Sequence, residues 1–133
     1  MAKPETSLIA GIHRHLPPKF HWEKMHNPYR GGTADCWYSG AKSDLWIEYK
    51  FVLLPARDDT LIPIKLEPLQ VQWLQGRLAE GRDVAVVVGC KEGCALFTGR
   101  EWLTPVKRSE FVSLLSSRKS LATWILSRTG GPP

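Results

Sequence analysis

The 133-residue chain has only three cysteines, Cys36, Cys90 and Cys94, an odd number with no framework spacing. A disulfide-stapled secreted scaffold is therefore excluded, and a reducing compartment is expected. No apolar run approaches the roughly 20 residues that cross a bilayer; the longest, Val84 to Val88 followed by Gly89, has the length of a strand. The N-terminus lacks the basic-then-apolar form of a secretory signal, so the expected location is the cytoplasm, with no membrane partner. His13, His15, His21 and His26 match no zinc-ligand spacing, and Cys90 and Cys94 lack a second ligand pair, so no zinc site is expected. Internal repeats, low-complexity blocks, helix-turn-helix signatures and zinc fingers are lacking too, which removes the familiar base-reading modules.

An apolar share of 43% is enough for a core without staples, and the length suits one domain spanning residues 1–133. Eighteen Lys and Arg against thirteen Asp and Glu leave a net charge of +5, which favours a polyanionic partner. From residue 99 onward the chain is the most one-sided: Arg100, Lys107, Arg108, Arg118, Lys119 and Arg128 face only Glu101 and Glu110. Such a balance suits phosphate contacts, and Arg30, Lys65, Arg108, Arg118 and Lys119 are the candidate DNA-binding residues.

Leu8, Ile9, Ile12 and Leu16 fall at helical spacing behind Pro4 and Glu5, predicting a helix that Pro17 and Pro18 stop. Phe20 to Met25 and Ala34 to Tyr38 read as strands, and a turn at Ser39 to Ser43 leads into a longer one, Leu45 to Leu53. Because side chains alternate along a strand, Leu45, Ile47, Tyr49, Phe51 and Leu53 share one face and Trp46, Glu48, Lys50 and Val52 the other. Pro55 to Glu67 reads as a loop or flap with a short extended piece at Leu61 to Ile64. Pro68 to Glu80 is a helix with Gly81 as its C-terminal cap. Val84 to Val88 and Cys94 to Thr98 form a second hairpin, and Ser109 to Ser116 and Ser120 to Ser127 are helices with serine caps. The order predicts a mixed α/β (α+β) domain with a central mixed sheet flanked by helices. Its core is expected at about residues 5–98, followed by a basic helical extension over 99–128 and a disordered tail at 129–133.

Glu48 and Lys50, two residues apart on one strand, point to the same side. Asp35, thirteen positions before Glu48, sits on the strand that the Ser39–Ser43 turn folds back against it, so two carboxylates converge beside an ammonium. Like charges at that distance repel strongly unless a cation lies between them, and hard oxygen ligands with open positions suit Mg²⁺ or Mn²⁺. Such a metal polarises a phosphodiester and activates water, with Lys50 placed to offset developing charge. The alternative for Glu48 and Lys50 is a solvated cross-strand ion pair worth about 0.2–1 kcal/mol.

The segments Gly32-Thr33-Ala34-Asp35, Leu45-Trp46-Ile47-Glu48-Tyr49-Lys50 and Glu67-Pro68-Leu69-Gln70 with Trp73 and Leu74 resemble the VRR-NUC branch of the PD-(D/E)XK nucleases. Within it they are similar to small phage-type endonucleases related to Holliday-junction resolvases. The resemblance implies a restriction-endonuclease-like core, Asp35 and Glu48 as metal ligands with the Tyr49 carbonyl as a third, and Lys50 as the catalytic lysine. It also implies an active-site role for Gln70 and, in the first helix, an additional acidic residue at Glu5. Ala34 stands where the family's name-giving proline belongs, and the segment from Phe51 to Leu66 is longer than usual. The implied activity is a Mg²⁺-dependent endodeoxyribonuclease acting on branched or duplex DNA as a homodimer, in the host cytoplasm if phage-encoded. From another class, a catalytically silent DNA-binding or host-protein-inhibiting phage factor on the same fold is the alternative.

Overall fold

The computed structural model describes residues 3–26 and 31–133; Arg30, one of the candidate DNA contacts, lies outside the described residues. In chain order the elements are α1 (Pro4–His13), β1 (His21–Lys24), β2 (Cys36–Ser39), β3 (Asp44–Phe51), β4 (Leu61–Ile62), α2 (Pro68–Ala79), β5 (Val84–Cys90) and β6 (Gly93–Thr98). A 3₁₀ turn (Gly99–Leu103), β7 (Val106–Lys107), α3 (Arg108–Ser113) and α4 (Arg118–Thr129) complete the chain.

Five strands form the central sheet in the order β1-β2-β3-β5-β6, antiparallel throughout except for the parallel pair β3 and β5. The expected mixed sheet flanked by helices is what forms. β5 is buried along its whole length, as a strand covered on both faces must be, and its Val-Ala-Val-Val-Val sequence supplies apolar groups to both.

The alternation read in β3 divides the core in two. Leu45, Ile47 and Tyr49 face α1 and α4, packing with Leu8, Ile12, Leu121, Ala122 and Ile125. On the opposite face Val84, Val86 and Val88 pack with Leu74 of α2, Ile62, Trp102, Val106 and Phe111, and Trp46 of β3 and Val52 just beyond its end join them. Each fully buried Leu, Ile or Val contributes roughly 1.5–3 kcal/mol. Leu53, expected to extend the apolar face, lies beyond the strand's end and is 75% exposed.

The chain departs from expectation in four ways. α4 is not an appendage to the core: Leu121, Ala122 and Ile125 close the same cluster as α1. Nor are residues 129–133 disordered. Gly130, at φ 87°, turns the chain back, and the Thr129 and Gly131 carbonyls accept hydrogen bonds from Lys42 (2.9 Å) and Ala41 (2.8 Å) in the β2–β3 turn. Gly40 leaves room for this docking, since a β-carbon there would collide with the Thr129 backbone. The 55–67 segment is no free flap: β4 pairs with β7, and Arg108 Nε donates to the Pro55 carbonyl at 2.7 Å while its Nη1 binds Asp58 at 2.9 Å. The serine caps also differ. Ser117, not Ser120, caps α4 by accepting the Ser120 N–H at 3.0 Å, and α3 begins at Arg108 with no side-chain cap.

Candidate active site

Glu48 and Lys50 project from the centre of β3, whose two neighbours fix its position from both sides. The β2–β3 register, Cys36 against Ile47 and Trp37 against Trp46, brings Asp35, immediately before β2, opposite Glu48. Asp35 is locked in place twice. Its carbonyl accepts the Met25 N–H at 2.7 Å, and its Oδ2 accepts the Tyr49 N–H at 2.9 Å, where the β2–β3 ladder has run out of backbone partners. A strand residue's N–H and C=O leave on the same edge, so the Tyr49 carbonyl also faces the Asp35 side.

α2 closes the site from the other direction. Its approach depends on Gly32, at φ 93°, where any β-carbon would run into the Leu69 carbonyl. Gln70, in the first turn, is held at both ends of its amide: Oε1 accepts the Glu67 N–H at 2.9 Å, and Nε2 donates to Glu48 Oε2 at 2.8 Å. This fixes which end of the amide faces the carboxylate. With the acceptor oxygen engaged by the backbone, Gln70 presents its N–H₂ donor to Glu48.

Glu48 is 3% exposed. Its Oε2 has Gln70 and, at 3.8 Å, the Lys50 ammonium; its Oε1 is buried with no hydrogen-bond partner. A buried carboxylate oxygen left without a donor costs on the order of 1–3 kcal/mol or more. Burial raises the Glu48 pKa first, the charge of Asp35 adds to it, and Lys50 only partly opposes them, so the group is pushed up to about 8. Glu5 contributes in the same direction, which puts the first-helix acid within electrostatic reach of the site. Among the described residues, however, no three His, Cys, Asp or Glu side chains gather to hold a metal. A cation here would thus be held by Asp35 and Glu48, with the Tyr49 carbonyl the nearest backbone candidate for a third position. The donor set fits one: two carboxylates converge, close enough that Asp35 raises Glu48 both as a charge and as the hydrogen-bond partner of its protonated form.

Asp35, Glu48, Lys50 and Gln70 are thus brought together, with Tyr49 between them. The basic candidates among the described residues are engaged or placed elsewhere. Arg108 is spent on the 55–60 loop, and Arg118 lies over Gly11 with its guanidinium on the Ser7 carbonyl at 3.2 Å. Lys119 is exposed on α4, and Lys65 is exposed on the segment leading into α2. Sequence reading quoted Glu67 with the motif but gave no role to this residue, whose N–H anchors Gln70. Its signal was the Glu-x-x-Gln spacing at a helix start, the pattern of a reciprocal cap.

No helix among the described residues is long and apolar enough to span a membrane. No protein-family model matches the sequence, and no curated protein matches it. The fold has a counterpart among solved structures: Hjc, a Holliday junction resolvase from the hyperthermophilic archaeon Archaeoglobus fulgidus, matches with a TM-score of 0.54 at 15% identity. The match covers 89% of this chain and 99% of that one, a longer stretch than the 5–98 core expected from motifs. The architecture is the restriction-endonuclease-like fold of that resolvase.

Proposed function

We propose that this chain is a metal-dependent endonuclease that hydrolyses DNA phosphodiesters, a VRR-NUC-like member of the PD-(D/E)XK nucleases selective for branched DNA. The observation that carries the reading is the unpartnered, buried Glu48 Oε1 beside Asp35, with Lys50 on the same strand face. Such an arrangement is costly for folding alone and useful for binding a cation.

Asp35, Glu48 and the Tyr49 carbonyl would hold Mg²⁺ or Mn²⁺, which supplies Lewis-acid stabilisation of phosphoryl charge and activation of water. The chain's own groups do the rest. Gln70 holds Glu48 Oε2 and so leaves Oε1 directed at the cation. The Tyr49 N–H fixes one oxygen of Asp35 and leaves the other available. Lys50, whose side chain is 16% exposed, reaches the site's open side, where its ammonium can bind the attacking water or a non-bridging phosphate oxygen. Burial of Glu48 keeps bulk water from screening these charges.

Branched DNA is supported by the likeness to a junction resolvase and by the lack of any base-reading module in the sequence. Two incisions at a symmetric junction call for two active sites, which a homodimer supplies. Labelled four-way junction, linear duplex and single-stranded DNA, each incubated with Mg²⁺, Mn²⁺ or EDTA, test the proposal. The expected result is metal-dependent cleavage, fastest on the junction. Equal rates on all three would remove the branch selectivity, and no cleavage of any would remove the nuclease.

A further inference from the structure

Among the described residues one non-glycine has a positive φ: Lys65, at 61°. Side chains other than Asn, Asp and Gly seldom adopt this left-handed conformation, because the β-carbon crowds the backbone. The segment around it cannot relax. β4 is hydrogen-bonded to β7, Ile64 is 5% exposed, and the preceding loop is tied down by Arg108. Strain of this kind persists where the surroundings enforce it, and it concentrates at ligand sites. A turn that needed only the backbone shape would be met by Gly or Asn. A lysine there also places a charge, and among the described residues no acidic group lies within ion-pair distance of it.

The position of that charge is informative. Lys65 stands two residues before Glu67, whose N–H holds Gln70 against Glu48. It also lines a groove of about 410 Å³ together with the end of β3 and the chain leaving it, including Phe51, Leu53 and Pro55. Leu53 and Leu61 are 75% and 56% exposed there. The groove therefore includes the end of the strand bearing Glu48 and Lys50, with a lysine among its lining residues.

We propose that Lys65 is a DNA-phosphate contact, fixed by its strained backbone on the rim of the groove that continues from β3, where it takes the backbone of the substrate strand beyond the scissile bond. The inference rests on the nuclease reading above. It assigns to the 51–66 segment a role in holding DNA.

The test measures binding of labelled duplex and four-way junction by fluorescence anisotropy in EDTA over a range of salt, alongside thermal melting. Lys65→Gly removes both strain and charge, Lys65→Asn removes the charge in a residue that tolerates the conformation, and Lys65→Arg keeps the charge. The expected result is that Lys65→Gly and Lys65→Asn melt at or above the temperature of the unmodified chain. Both should bind both DNAs about threefold to tenfold more weakly near 0.1 M salt, with the salt slope reduced by about one ion. Lys65→Arg restores binding. Unchanged affinity and slope in Lys65→Gly and Lys65→Asn would overturn the proposal, whatever their stability. The nuclease reading fails differently, through absent metal-dependent cleavage while the variants still differ in DNA binding.

Discussion

Lys50→Ala and Glu48→Gln each lower the rate of DNA cleavage by a factor of about 10²–10⁴, the range for removing a positioned acid–base or charge-stabilising group, while the protein stays folded. The two substitutions act differently. Lys50→Ala removes the ammonium that lies 3.8 Å from Glu48 Oε2 and reaches the open side of the site. It leaves both carboxylates, so metal binding persists without turnover. Glu48→Gln is nearly isosteric: its side-chain oxygen can still accept from Gln70, and its new N–H₂ can donate toward Asp35, but the charge that would hold the cation is gone. Initial rates on the best substrate, with circular dichroism as a check on folding, measure both. Full activity in either folded variant would show that the Asp35, Glu48 and Lys50 cluster is not the catalytic centre.

The second large effect is on stability. In metal-free protein the Glu48 pKa is raised from an ordinary value of 4.5 to about 8, chiefly by burial. Below pH 4.5 the carboxyl is protonated in both folded and unfolded chains, and no penalty arises. Between 4.5 and 8 the unfolded chain releases this proton while the folded chain retains it, so stability falls as pH rises, by up to about 1.4 kcal/mol per pH unit. Above 8 the loss levels off at several kcal/mol. His13 works in the opposite sense: burial lowers it from 6.5 to about 4, so its contribution to stability rises with pH across that interval. The difference between the unmodified chain and Glu48→Gln isolates the carboxylate. Thermal melting in EDTA at pH 5 and pH 8 should show the variant gaining markedly on the unmodified chain at the higher pH. Added Mg²⁺ should narrow the gap by replacing the proton with a cation. A gap independent of pH, or a variant that melts lower at pH 8, would contradict the strained carboxylate.

The placement of the candidate site's side chains was legible in sequence because strand periodicity is strict. Once Leu45, Ile47 and Tyr49 were placed on the core face, Glu48 and Lys50 had to share the other, and the short turn at Ser39 to Ser43 set Asp35 opposite Glu48. α2 was equally plain, with Pro68 opening it and Gly81, at φ 80°, just past its end. What escaped was structure made by backbone groups and by side chains with two plausible uses. The docked C-terminus rests on the carbonyls of Thr129 and Gly131, and Gly-Gly-Pro-Pro carries no side-chain sign of that docking. Arg108 and Arg118 looked like phosphate contacts because they are basic, yet their guanidiniums bind carbonyls inside the fold. The cap of α4 was read at Ser120 and lies at Ser117, since either serine can serve and only tertiary packing selects one.

The Tyr38 and Tyr49 hydroxyls lie 2.5 Å apart, and Tyr38 is 2.7 Å from His13 Nε2. This polar chain ties α1 to β2 and β3 on the face opposite the carboxylates. It gives the strand bearing Glu48 a fixed backing in a core that is otherwise apolar.

The central claim, that Asp35 and Glu48 together hold a catalytic cation, is tested most directly by isothermal titration of Mn²⁺ into the unmodified chain, Asp35→Asn and Glu48→Gln. The predicted result is one saturable site per chain, abolished in both variants while their folds persist. No saturable binding to the unmodified chain, or binding unchanged by both substitutions, would contradict the account.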